Sequence, residues 1–114
     1  MTTKPLKDKL GIIAKAYKSL PKELHCDFLK ALAELEDNEN HKKRSFPHTE
    51  LHKVSGIGSV NVYRAYINKI KGWRLHLQYD NDNSISLCEV LTGKEHDATI
   101  KVIKSRKNNY KKKR

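Results

Sequence analysis

Cysteine is scarce in this sequence. Cys26 and Cys88 stand alone, far apart, and form no CxxC pair. Two isolated thiols make neither a disulfide framework nor a thiolate zinc site, so reduced cysteines are expected. Long apolar runs are missing as well: nothing approaches the ~20 residues that cross a bilayer. The opening MTTKPLKDKL lacks the apolar centre of a signal peptide. A soluble, cytoplasmic protein with no membrane span is the expectation. Neither GxxxxGKS nor GxGxxG occurs, so Gly56 and Gly58 read as a tight turn rather than a phosphate cradle. His41, His48 and His52 gather in one stretch, but no Cys or carboxylate pattern completes a zinc site. No metal and no cofactor is expected. Acidic residues are also few, with 13 Asp and Glu against 24 Lys and Arg, a formal charge of +11 and a pI of about 9.7. Such an excess on a small chain attracts polyanions. On charge alone nucleic acid, an anionic membrane surface and an acidic protein all qualify.

What is present fits one domain. The chain has 114 residues, 37% of them hydrophobic, with a mean hydropathy of -0.79, so its core is lean. Leu6, Leu10, Ile13 and Tyr17 recur at helical spacing and predict a first helix with one apolar face. After KSLP, with Pro21 at a position a first turn tolerates, Leu24, Phe28, Ala31, Leu32 and Leu35 form a second stripe. The short break predicts an antiparallel helical hairpin. DNENHKKRSFPHTELHKVSGIGS reads as a loop.

Three strands follow. Residues 60–68 put Tyr63, Ala65 and Ile67 on one face and Arg64, Tyr66 and Asn68 on the other. KIKG turns the chain. Residues 73–79 put Trp73, Leu75, Leu77 and Tyr79 inward and Arg74, His76 and Gln78 outward. DNDN is a hairpin signal, and SISLCEVL supplies a third strand with Ile85, Leu87 and Leu91 alternating. The class is α+β: a helical hairpin covers one face of a small twisted antiparallel sheet and leaves the other open. Residues 1–103 form the domain. Residues 104–114 make a mobile tail that holds seven basic residues, Lys104, Arg106, Lys107, Lys111, Lys112, Lys113 and Arg114. The tail reads equally as solvated chain and as a phosphate-tracking arm.

On the open face, Arg64 and Tyr66 of one strand approach Arg74 and His76 of the next. Like charges directly opposite one another are destabilising, so packing alone would not select this set. Arginines beside an aromatic ring and a histidine suit a phosphate and a stacked base. In RNA the neighbouring 2′-OH can attack the phosphate. Cleavage then needs a proton acceptor, a donor for the leaving oxygen, and cations for the equatorial oxygens, without a metal. His76, His96 and Tyr66 can exchange protons while Arg64 and Arg74 stabilise charge. The plainer alternative is that these residues keep a sheet face soluble. The loop histidines read as contacts to solvent or RNA, His25 as structural, and Cys88 as a small buried residue.

The succession KSLPKELHCDFLKALAEL, LHKVSG, VYRAYINKIKGWRLHLQY and a strand ending in GKEHD resembles the RelE/ParE superfamily of bacterial toxins over most of residues 15–100. Its most telling part, GWRLHLQY, is similar to the family's Gly-Tyr-Arg-Leu-Val-Tyr segment. The resemblance implies a microbial-ribonuclease-like fold and an acidic cognate antitoxin covering the basic surface. It also implies cleavage of mRNA, typically in the ribosomal A site, with ParE-like members poisoning gyrase instead. Carried over, Arg74 matches the arginine that stabilises the phosphate. Arg64 falls at a basic position, and Tyr66 stands where RelE has lysine. Near the C-terminus, where the family places a catalytic Arg, His or Tyr, GKEHD offers Lys94 and His96, and Tyr110 lies further along. His96 is the expected leaving-group donor. Lys53, Lys69, Lys71, Lys94 and the tail are expected to hold the RNA backbone. The family begins with a strand, whereas this N-terminus reads as helix. A gyrase poison and a non-catalytic RNA-binding protein are the rival readings.

Overall fold

Asp8 decides where the first helix starts. Its carboxylate accepts from the backbone N–H groups of Ile12, at 2.5 Å, and Ile13, at 3.0 Å. Two of the four donors that a helix start leaves orphaned are thereby satisfied. Gly11, at φ 66, makes the left-handed turn into it. In the computed structural model, which describes residues 5–54, 61–82, 84–92 and 110, the segment before this turn is extended. It forms β1 (Leu6–Lys7), followed by α1 (Ile12–Ser19). The expected helix from Leu6 is therefore corrected at its start and in its phase. Ile12 and Ala16 are buried, Ile13 and Tyr17 pack at the margin, and Leu10 is exposed.

A 3₁₀ turn over Lys22–Leu24 leads into α2 (His25–Glu36). The predicted stripe is the buried one: Leu24, Phe28, Ala31, Leu32 and Leu35 face the sheet. Full burial of a side chain such as Phe28 or Leu35 contributes about 1.5–3 kcal/mol. The stretch read as loop contains α3 (Asn38–Lys43) and β2 (His52–Lys53). Asp37 starts α3 by accepting from Glu39 N–H at 2.9 Å, and His41, Lys42 and Lys43 complement its C-terminal dipole. These six polar residues have no apolar period, which is why α3 was not legible.

The remaining strands are β3 (Tyr63–Asn68), β4 (Trp73–Tyr79) and β5 (Ile85–Leu91). The sheet order is β1-β5-β4-β3-β2, antiparallel except where β1 joins β5 in parallel. The helices cover one face, α2 over β3 and α1 over β5. The α+β class stands, with two strands more than the meander that was expected. DNDN does close a hairpin, in which Asp80 N–H donates to Ser84 O at 2.9 Å.

One carboxylate ties α2 to the loop before β2. Glu34 accepts from His48 N–H and Thr49 N–H, each at 2.9 Å, and from Thr49 Oγ1 at 2.6 Å. Thr49 is fully buried, and its carbonyl accepts from Tyr66 N–H at 2.7 Å. Glu34→Ala is expected to destabilise the protein by about 2–3 kcal/mol in urea unfolding, since it strands buried donors. Thr49→Val, which removes one hydroxyl, is expected to cost about 1 kcal/mol. A Glu34→Ala loss below about 0.5 kcal/mol, the range of ordinary surface changes, would show that the loop is not held this way.

Candidate functional site

Residues paired across antiparallel strands share a face, so the register sets out the site row by row. Arg64 of β3 pairs with His76 of β4 and with His52 of β2. His76 pairs in turn with Glu89 of β5. Glu89, His76, Arg64 and His52 therefore cross four strands as one row. The next row is Leu91, Arg74 and Tyr66. Arg64 and Arg74 stand diagonal to each other, and this avoids the direct like-charge opposition that cross-strand proximity alone allows.

Glu89 reaches this face through a register shift. Leu77 pairs with Leu87 but His76 pairs with Glu89, leaving Cys88 as an extra residue in β5. Strict alternation from Ile85 and Leu87 would have sent Glu89 into the apolar core. The bulge turns it outward and lets Val90 pack against the core. The expected inward place for Leu91 is corrected for the same reason, because it pairs with Arg74.

The outer face is not open along β4. Arg74 is 1% exposed, His76 0% and Gln78 6%, although the expectation was solvent contact. A second apolar cluster of Val62, Cys88 and Tyr110, with Val54 at its margin, lies outside the helix-covered core. Exposure rises along the first row, from buried Glu89 and His76 through half-buried Arg64 to exposed His52.

Each side chain has a definite local hold. The Arg74 guanidinium folds back and donates from Nε and Nη2 to Gly72 O at 3.1 and 2.9 Å. Gly72, at φ 79, shapes the turn that presents this carbonyl. Tyr66 lies 6.1 Å from His52, ring to ring, and Lys69 Nζ sits 5.8 Å from the Tyr66 centroid. Tyr110 donates its hydroxyl proton to Glu89 Oε1 and lies 3.0 Å from His76 Nδ1. Burial first, then the positive charge of Arg64, Arg74 and His52, holds the His76 pKa down at about 3. The imidazole is consequently neutral at physiological pH.

The structure brings Arg64, Tyr66, Arg74 and His76 onto one face. His96 and Lys94 lie outside the described residues. So do Lys104, Arg106, Lys107, Lys111, Lys112, Lys113 and Arg114, as well as Gly56 and Gly58. Lys53 pairs with Tyr63 and so belongs to the opposite, helix-covered side. Lys71 also leans that way, 3.6 Å from Glu23, whereas Lys69 stays by the site and pairs with Glu50 at 3.0 Å. His41 and His48 are structural, since their Nε2 atoms meet Leu35 O at 2.8 Å and Ile67 O at 3.0 Å. Cys26, exposed, and Cys88, buried, are not joined in a disulfide. Sequence reasoning missed Glu89. A lone carboxylate inside the apolar run SLCEVL was the available signal.

The depressed His76 pKa has a measurable sign. Below pH 6.5 the unfolded chain binds a proton on His76 that the folded chain refuses until about pH 3. Stability from this residue is therefore level above 6.5 and is lost as pH falls through that window. The slope is at most about 1.4 kcal/mol per pH unit. Urea unfolding of the protein and of His76→Gln from pH 7 to 4 should give a difference curve with this slope. Parallel curves would place the titration elsewhere.

No family model and no curated protein matches the sequence. No helix among the described residues is long and apolar enough to cross a membrane. Among solved structures, the chain is similar to one in the archaeal RelE–RelB complex from Pyrococcus horikoshii OT3. The TM-score is 0.55 and the identity 23%, covering 82% of this chain and 97% of that one. At that identity the likeness speaks for architecture, and the architecture of this protein is the RelE-like fold.

Proposed function

We propose that the protein is a RelE-like toxin of a toxin–antitoxin pair, an endoribonuclease that cuts mRNA on the ribosome and so inhibits translation. The observation that carries this reading is the shared sheet face of Arg64, Arg74, Tyr66 and His76. Arg74, anchored on Gly72 O, stabilises the phosphate as charge builds on its oxygens. Arg64, half-buried and next to the exposed end of the row, positions the RNA, and Tyr66 offers a ring to a base. The 2′-OH loses its proton to the His76 side of the site, and its oxygen attacks phosphorus. The P–O5′ bond breaks, and the leaving oxygen takes a proton from His96. The products are a 2′,3′-cyclic phosphate and a 5′-hydroxyl. No metal enters these steps.

A net charge of +11 supports two kinds of partner. RNA and the ribosome supply phosphate, and an acidic antitoxin neutralises the same surface between uses. The neighbour's RelE–RelB pairing supports the second. Lys69, Lys94 and the basic tail contribute phosphate contacts on this reading, with Lys53 and Lys71 at the periphery. The near-complete burial of Arg74 and His76 favours one rival, a non-catalytic RNA-binding protein.

Induced expression followed by mapping of RNA 5′ ends tests the proposal. The expected result is new 5′-hydroxyl ends within coding sequences, with growth arrest. Arg64→Ala should reduce cleavage about 10²–10³-fold while leaving the thermal midpoint in place. Arg64 is the better choice than Arg74, whose removal would also vacate a buried site. Growth arrest with intact RNA would point to a gyrase-type poison. RNA binding without cutting would establish the non-catalytic reading.

A further inference from the structure

His76 is held by a chain of hydrogen bonds that runs in one direction. The Glu89 carboxylate accepts the Tyr110 hydroxyl proton. With that proton committed, the Tyr110 oxygen can only accept from His76, whose Nδ1 lies 3.0 Å away. Nδ1 must then carry the imidazole proton. A neutral ring has only one, so Nε2 keeps a bare lone pair. Nε2 is buried and has no hydrogen-bond partner among the described residues. A buried polar atom without a partner is costly in an ordinary core, and it asks for an occupant.

We infer that Glu89, acting through Tyr110, is a positioning residue that fixes His76 as the Nδ1–H tautomer, so that Nε2 accepts the proton of the RNA 2′-hydroxyl. The inference rests on the endoribonuclease reading above and deepens it by assigning the proton acceptor. An unconstrained neutral histidine prefers the opposite, Nε2–H form, which would present a donor where cleavage requires an acceptor. The Glu89–Tyr110 pair reverses that preference. Proton balance is complete: the 2′-hydroxyl proton moves to Nε2, and the leaving 5′-oxygen receives its own from the donor already named. Nε2 is shielded from water in the free protein, so RNA must uncover it on binding. Arg64, half-buried beside His76 in the same row, marks the side of entry.

The relay is the reason a strand otherwise rich in apolar residues carries a buried carboxylate. Glu89 is 4% exposed and Tyr110 6%. A carboxylate placed only for solubility would stand in water. This one instead spends its acceptor on a buried phenol that in turn contacts a buried imidazole.

Ring ¹⁵N shifts of His76 in the intact chain at pH 7 decide the tautomer without any RNA present. The expected spectrum has a protonated Nδ1 and an unprotonated Nε2. Glu89→Leu frees the Tyr110 proton to turn toward Nδ1, and Tyr110→Phe removes the acceptor. Both variants should move His76 to the Nε2–H form and slow RNA cleavage about a hundredfold. Thermal unfolding confirms that each variant is folded. A wild-type Nε2–H or doubly protonated ring overturns the inference, as does an unchanged tautomer in folded Tyr110→Phe. Cleavage at the wild-type rate in folded variants with a switched tautomer would remove His76 as acceptor while leaving the nuclease reading intact. Absence of RNA cleavage by the wild-type protein would overturn that reading and the acceptor role together, and the ¹⁵N shifts would still judge the relay alone.

Discussion

Strand β4 has β3 on one edge and β5 on the other, and it is buried on both faces. Every polar group on it must find a partner inside the protein, because water is not within reach. Arg74 meets this demand at Nε and Nη2 with the carbonyl of Gly72, two residues earlier. Gln78 meets it by donating from Nε2 to Asn61 O at 3.1 Å. His76 meets it at Nδ1 alone, through Tyr110. Burial of one strand thus accounts for the turn geometry at Gly72, the seat of Tyr110 and the neutral imidazole.

The second determinant is the extra residue in β5. Cys88 and Glu89 together oppose a single residue of β4, which bends the strand and places both side chains on the outer face. Cys88 packs with Val62 and Tyr110, and Glu89 holds the Tyr110 hydroxyl. A single-residue insertion therefore builds both the apolar cover and the polar relay beneath it. Were Cys88 to pair in strict alternation instead of bulging, Glu89 would turn to the helix-facing core, where no water could solvate the carboxylate.

These two facts explain what the sequence made legible. The stripe of Leu24, Phe28, Ala31, Leu32 and Leu35 was readable because helical period and burial coincide. The alternation of Tyr63, Ala65 and Ile67 against Arg64, Tyr66 and Asn68 was readable for the same reason at period two. The burial of Arg74 and His76 was not, because alternation reports which face a residue takes and not what lies over that face. The bulge was illegible too: Ile85, Leu87 and Leu91 keep an even spacing through it, so periodicity counts straight past Cys88. Strand β1 was hidden by its length, since two residues have no period and Leu6 fits a helical register with Leu10. Tyr110 stood in a basic tail with no pattern, and only its packing on β5 gives it a role.

The electrostatics of the two rows then connect to one another. Arg64 and Arg74 help to keep His76 unprotonated, with burial the larger cause. An anion bound between those arginines offsets the positive field that His76 feels, and so raises its affinity for a proton. Linkage makes the coupling reciprocal: a protonated His76 holds the anion more tightly by the same factor. For a phosphodiester whose 2′-hydroxyl proton is to be taken up at Nε2, the direction is favourable. The acceptor is at its weakest while the site is empty, and it strengthens when the negative charge of the phosphate arrives and again as charge accumulates on its oxygens. On the proposed nuclease reading, an imidazole too acidic to serve as a base in the free protein is tuned, by this coupling, by the arrival of the phosphodiester.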